Sequence, residues 1–100
     1  MNTSPFSTAT EIAAAIRARR VSAIEMLEMY LARIAKFNPA LNAICTLDES
    51  GARGRAREAD AALARGELWG PLHGVPMTIK ESYDVAGMPT TWGVPELKDN

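Results

Sequence analysis

The chain has 100 residues, 47% of them apolar and 23% charged, which is ordinary composition for one small globular domain and excludes a fibrous or disordered chain. Eleven Lys and Arg against twelve Asp and Glu leave a net charge of −1, so the basic excess of a dedicated nucleic-acid binder is missing. One cysteine (Cys45) and one histidine (His73) exclude an intramolecular disulfide and argue against a structural zinc site.

Two helices are announced by their caps. Thr8-Ala9-Thr10-Glu11 reads as a capping box, and Ile12 and Ile16 continue it as a narrow apolar stripe ending at Arg19-Arg20. The pattern predicts a helix over about 9–20. Ser22-Ala23-Ile24-Glu25 is a second capping box, with Val21 and Met26 at the positions of a hydrophobic staple. Ile24, Leu27, Leu31 and Ile34 follow at helical spacing. Asn38-Pro39 is expected to close this helix, giving a span of about 22–37, because a residue before proline is pushed out of the α region.

Asn42 to Leu47 is short, apolar and partly β-branched, which predicts a buried strand over about 42–47 with Cys45 as a small core residue. A third helix is expected over about 50–65. Its inner face would be Ala52, Ala56, Ala59 and Leu63, and Gly66 would stop it. Arg53, Arg55 and Arg57 read as a solvated face beside Glu58 and Asp60.

Residues 66–100 differ in kind, holding five of the seven glycines, four of the six prolines and both tryptophans. Val75, Met77 and Ile79 alternate with Pro76, Thr78 and Lys80, which predicts a strand over about 75–80. Pro76 lacks an N–H and belongs at its beginning or at an edge. Three helices and two such strands cannot close a sheet covered on both faces. The expectation is therefore an incomplete α/β fold, with the apolar helix faces and Trp69, Leu72 and Trp92 awaiting partners.

The segment Gly70-Pro71-Leu72-His73-Gly74-Val75-Pro76-Met77-Thr78-Ile79-Lys80-Glu81 resembles the N-terminal motif of the amidase signature family, G-P-L-H-G-I/V-P-x-x-I/V/L-K-D/E. Residues Val85 to Gly93 are similar to the family's V-x-G-x-x-T-T-x-G, and the upstream helices fall in the family's order. The likeness runs over roughly residues 8 to 94. It implies an N-terminal portion of a single mixed-sheet amidase domain, hydrolysing a carboxylic amide through a Ser–cis-Ser–Lys triad. Lys80 stands where the family keeps its base. Both serines of the triad lie further along in the family, and Ser4, Ser7, Ser22, Ser50 and Ser82 match neither position.

The resemblance further implies no cofactor, a small-molecule amide as substrate, and the remainder of the amidase domain as the covering partner. The 100 residues alone are then expected to be inactive. Thr91 and Trp92 are candidates to line the substrate channel, with buried packing as the competing reading. His73 reads as a turn-shaping residue. Glu81, where many members have Asp, and Val94, where many have Ser, are small departures. The run from Glu81 to Gly93 reads more like a stand-alone hydrolase than a component of a tRNA-dependent amidotransferase. Lacking a secretory leader and a membrane-length apolar run, the chain is expected in the cytoplasm. A homodimer through the N-terminal helix pair is a further expectation. The alternative reading is a truncated, non-catalytic module that folds by association with a partner or itself.

Overall fold

The computed structural model describes residues 3–97 and residue 100. Three helices follow one another along the chain: α1 (Ala9–Arg17), α2 (Ala23–Leu41) and α3 (Glu49–Ala64). A single 3-10 turn, Pro95–Leu97, is the remaining regular element among the described residues.

Both capping boxes form. The Thr8 hydroxyl accepts from the Glu11 N–H and the Glu11 carboxylate accepts from the Thr8 N–H, each at 3.1 Å. Ser22 and Glu25 repeat the arrangement at the same distance. Helix α2 has a second device. Asp60, on α3, accepts from the N–H of Ala23 at 2.7 Å and of Ile24 at 3.1 Å. With the Ser22 N–H on the Glu25 carboxylate and the Glu25 N–H on the Ser22 hydroxyl, all four free donors at this end of the helix are satisfied.

α1 ends earlier than the 9–20 span predicted. Arg19 turns left-handed at φ 59°, and its N–H bonds the Ile16 carbonyl while the Arg20 N–H reaches back to Ala15, a Schellman motif built on arginine. The Arg19 guanidinium then donates to the Leu63 carbonyl of α3 at 2.7 Å. α2 runs on past 37. Pro39 sits inside its last turn, and the helix stops instead at Asn42, left-handed at φ 50°. Proline there deletes one helical hydrogen bond close to the end, where few remain to be lost. α3 matches its predicted span within one residue, with Asp48 as N-cap and Gly66 (φ 80°) closing it.

The core is small. Ile12 and Ile16 of α1 and Met26 of α2 are its buried centre, with Val21, Met29, Tyr30, Leu63 and Val75 packed around them. Ala59 and Ala62 are buried on α3, whose small residues let it approach closely. Ala52 and Ala56 remain half-buried. Arg53 clasps α3 to α2, its Nε 2.6 Å and Nη2 3.3 Å from the two carboxylate oxygens of Glu28. That hydrogen bond holds the Glu28 carboxyl below its ordinary range and raises the guanidinium.

Neither predicted strand is present among the described residues. At 42–47 the backbone partner is a side chain: Ile44 donates to Asn38 Oδ1 at 2.9 Å and its carbonyl accepts from Asn38 Nδ2 at 3.0 Å. Cys45 is consequently exposed and not a core residue. At 75–80 the chain has no regular structure and joins no ladder, and Met77 and Ile79 face solvent. A strand exists through its ladder, and among the described residues no other segment pairs with either run. The fold described is therefore three helices with a long irregular tail, not a sheet.

Candidate functional site

The motif from Gly70 to Glu81 begins on a rigid anchor. His73 is buried, with Nδ1 accepting the Trp69 N–H at 3.0 Å and Nε2 at 2.8 Å from the Ala59 carbonyl. Because Nδ1 accepts a backbone N–H, the ring proton belongs on Nε2, where it donates to α3. The Trp69 ring lies 4.9 Å from the imidazole, and the Arg55 guanidinium covers that indole at 4.1 Å. Gly74 completes the anchor. It is left-handed at φ 79°, and a Cβ there would come within 3.1 Å of the Ala23 Cβ and 3.3 Å of Ile16 Cγ2. Glycine meets both demands, since it tolerates positive φ and lets the loop touch α1 and α2.

From this anchor Pro76 to Ile79 run outward to Lys80, which is exposed. Its carbonyl accepts the Tyr83 N–H at 3.0 Å, so the chain turns sharply just beyond it. Lys80 borders an open groove of about 1370 Å³. Leu27, Leu31 and Ile34 of α2 form one wall, and Cys45, Ile79 and Met88 contribute to the others. A neighbouring hollow of about 560 Å³ lies over Ala56 and Ala59, beside Trp69 and His73.

The two substrate-binding candidates have different surroundings. Thr91 gives its N–H to Glu81 Oε1 at 3.0 Å and its hydroxyl to the same oxygen. Trp92 is largely exposed and left-handed at φ 57°, followed by Gly93 at φ 72°. The Val94 N–H closes this tight turn on the Thr91 carbonyl at 2.9 Å. A bulky residue with positive φ is uncommon and costs backbone energy. Thr90 is buried, its N–H and carbonyl both bonded to Asn100 at 2.7 and 2.9 Å.

Ser22 is engaged as a cap, and Ser4 and Ser7 bond one another near the start of the chain. No group of three or more His, Cys, Asp and Glu among the described residues is arranged to hold a metal ion. No helix among them is long and apolar enough to cross a membrane.

Sequence reasoning missed two contacts that shape this region, Asp60 on α2 and Glu81 on Thr91. Both join residues ten or more apart in sequence, and no local spacing rule announces such a pair.

An anchored G-P-L-H-G-V-P loop leading to a lysine at a groove defines the class. The model of the amidase family matches residues 25–100, and the chain belongs to that family. It is 45% identical over 91 residues to an indoleacetamide hydrolase of Bradyrhizobium diazoefficiens, covering 91% of this chain and 17% of that protein. An acylamidase of Rhodococcus erythropolis is 40% identical over 92 residues, covering 92% and 19%. A glutamyl-tRNA(Gln) amidotransferase component of Acidothermus cellulolyticus is 50% identical over 86 residues, covering 86% and 17%. The chain thus spans under a fifth of the length of these relatives.

Proposed function

We propose that these 100 residues are the base-bearing part of an amidase domain that hydrolyses a carboxylic amide to a carboxylate and ammonia or an amine. Lys80 is the base in this reading. Family membership and the unbroken motif from Gly70 to Glu81, ending beside an apolar groove, support it. The nucleophilic serine, the bridging serine and the oxyanion donors belong to a part of the domain outside these residues. That part also covers the exposed Met77 and Ile79.

The chemistry follows from lysine's requirements. An amine accepts a proton only when neutral, and desolvation favours the neutral form. Lys80 is exposed in the 100 residues, so covering the groove is what would desolvate it. Neutral Nζ then takes a proton from the bridging serine, which takes one from the nucleophile as its oxygen attacks the amide carbon. Backbone N–H groups hold the oxyanion. Collapse expels the amine with a returned proton, and water releases the carboxylate from the acyl-enzyme.

Relatives named for hydrolases and for an amidotransferase both match, and the stand-alone hydrolase remains the reading favoured here by Glu81 to Gly93. No cofactor enters this scheme, and the proposed setting is the cytoplasm.

The test is ammonia release from simple amides by a chain extended to the relatives' length. Lys80→Ala should lower the rate at least about 10²–10⁴-fold while substrate still binds. Lys80→Arg should be nearly as poor, since a guanidinium stays charged. The 100 residues alone should release none. Wild-type rates in both lysine variants would refute the assignment.

A further inference from the structure

Glu81 follows the proposed base directly, and in the sequence it is known only as the acidic end of the motif, where many members of the family have Asp. The structure gives it a different task. It is half-buried, and one of its oxygens receives both the N–H and the hydroxyl of Thr91. Hydrogen bonds to an ionised acceptor are the strong ones, and two from a single residue fix both its backbone and its χ1. The contact closes a loop of eleven residues, Glu81 to Thr91, whose first member follows Lys80 directly and whose last opens the Trp92 turn.

Other bonds along this loop are local. Tyr83 bonds Lys80, Met88 bonds Val85, and Val94 bonds Thr91, each a turn of four residues that leaves the loop ends free to part. Asn100 holds Thr90 from the other side, through both backbone groups. Glu81 is the group that joins the Lys80 end of the loop to this fixed end. Closing such a loop costs chain entropy, and the Glu81–Thr91 contact is placed to offset it. Lys80 is long and exposed, so its Nζ is located by the backbone that carries it.

We propose that Glu81 is a positioning residue that, by clamping Thr91, fixes the backbone of Lys80 relative to the Trp92 turn. The proposal rests on the reading of Lys80 as base. It also assigns the Thr91 hydroxyl: its proton is given to Glu81, so Thr91 serves the loop and does not donate to substrate. A proton-transfer group must lie within hydrogen-bond reach of its partner, and a displacement near 1 Å can cost about a hundredfold in rate.

The experiment measures kcat and KM for amide hydrolysis in the extended protein carrying Glu81→Gln, Thr91→Val, Thr91→Ser or the first two together. Circular dichroism of each variant checks its fold, and two separate single variants keep the test open if one of them misfolds. Glu81→Gln and Thr91→Val should each lower kcat about ten- to a hundredfold with KM changed less than about threefold. Thr91→Ser keeps the hydroxyl and should stay within about twofold of wild type. The double variant should be no slower than the poorer single, as expected for two ends of one contact.

Folded single variants with unchanged kcat would overturn the proposal, as would additive losses in the double variant. A raised KM at constant kcat for Thr91→Val would also overturn it, by making that hydroxyl a substrate contact. Lys80→Ala run in parallel separates the two levels. If it abolishes activity while the Glu81 and Thr91 variants are normal, only the positioning role falls. If Lys80→Ala is as fast as wild type, the base assignment falls and the positioning role falls with it.

Discussion

His73 illustrates how a single residue's chemistry is decided by its partners. A lone histidine in a family motif invites a general-base role, because its ordinary titration range is near neutrality. Here both ring nitrogens are spent on backbone groups, one taking the Trp69 N–H and the other giving to the Ala59 carbonyl. The expectation of a turn-shaping residue was legible from its place before Gly74. Its burial against α3 was not, since Ala59 lies fourteen residues upstream. His73→Ala in the extended protein should lose about 2–3 kcal/mol, from a buried unpaired N–H and the space left by the ring. His73→Asn offers an acceptor near the Nδ1 position and should recover part of that loss. Thermal unfolding of the variants reads this out, and the rate per folded molecule should fall less than about tenfold. A large stability-independent rate loss in both variants would return His73 to the reaction.

At the scale of elements, what the sequence disclosed depended on how local each signal is. Both capping boxes and the Gly66 stop are encoded within a few residues, so three helices were legible. The ends of α1 and α2 were less so. Arg19 adopts a left-handed turn that carries no glycine signature, and Pro39 is absorbed by the last turn of α2. Strands need a partner, which pattern cannot supply: Ile44 pairs with the Asn38 side chain, and Val75 to Lys80 join no ladder among the described residues. Asp60 shows the same dependence on distant contacts, since it caps a helix that begins 37 residues earlier. Asp60→Ala should leave the Ala23 and Ile24 donors unsatisfied and destabilise the protein by about 0.5–2 kcal/mol. Asp60→Asn, which keeps one acceptor but loses the charge favoured at a helix N-terminus, should fall between. Denaturant titration of the three proteins checks the order, and an Asp60→Ala midpoint equal to wild type would exclude the cap.

Over the whole molecule, surface and size point the same way. A folded monomer of this mass exposes about 5,500 Å², whereas these residues expose 6902 Å². The radius of gyration is 14.8 Å, against about 13 Å for a compact domain of this length. The excess of roughly 1,400 Å² is more than the roughly 800 Å² that one partner contributes to a standard protein interface. Its apolar part is concentrated in the tail, where Met77 is 62%, Tyr83 65% and Trp92 64% exposed. Against this stands a core centred on Ile12, Ile16 and Met26, too small to hold the tail by packing. The 100 residues in isolation should therefore self-associate or stay expanded, with retained helix, bound hydrophobic dye and a broad thermal transition. In the extended chain the same surface should be covered, the dye excluded and the transition sharp. Sedimentation, dye fluorescence and calorimetry on both lengths make the comparison. A dye-free monomer of the 100 residues, unfolding in one sharp step, would show that the helices and their anchored loop are sufficient, and that the tail needs no covering domain to hold Lys80 in place.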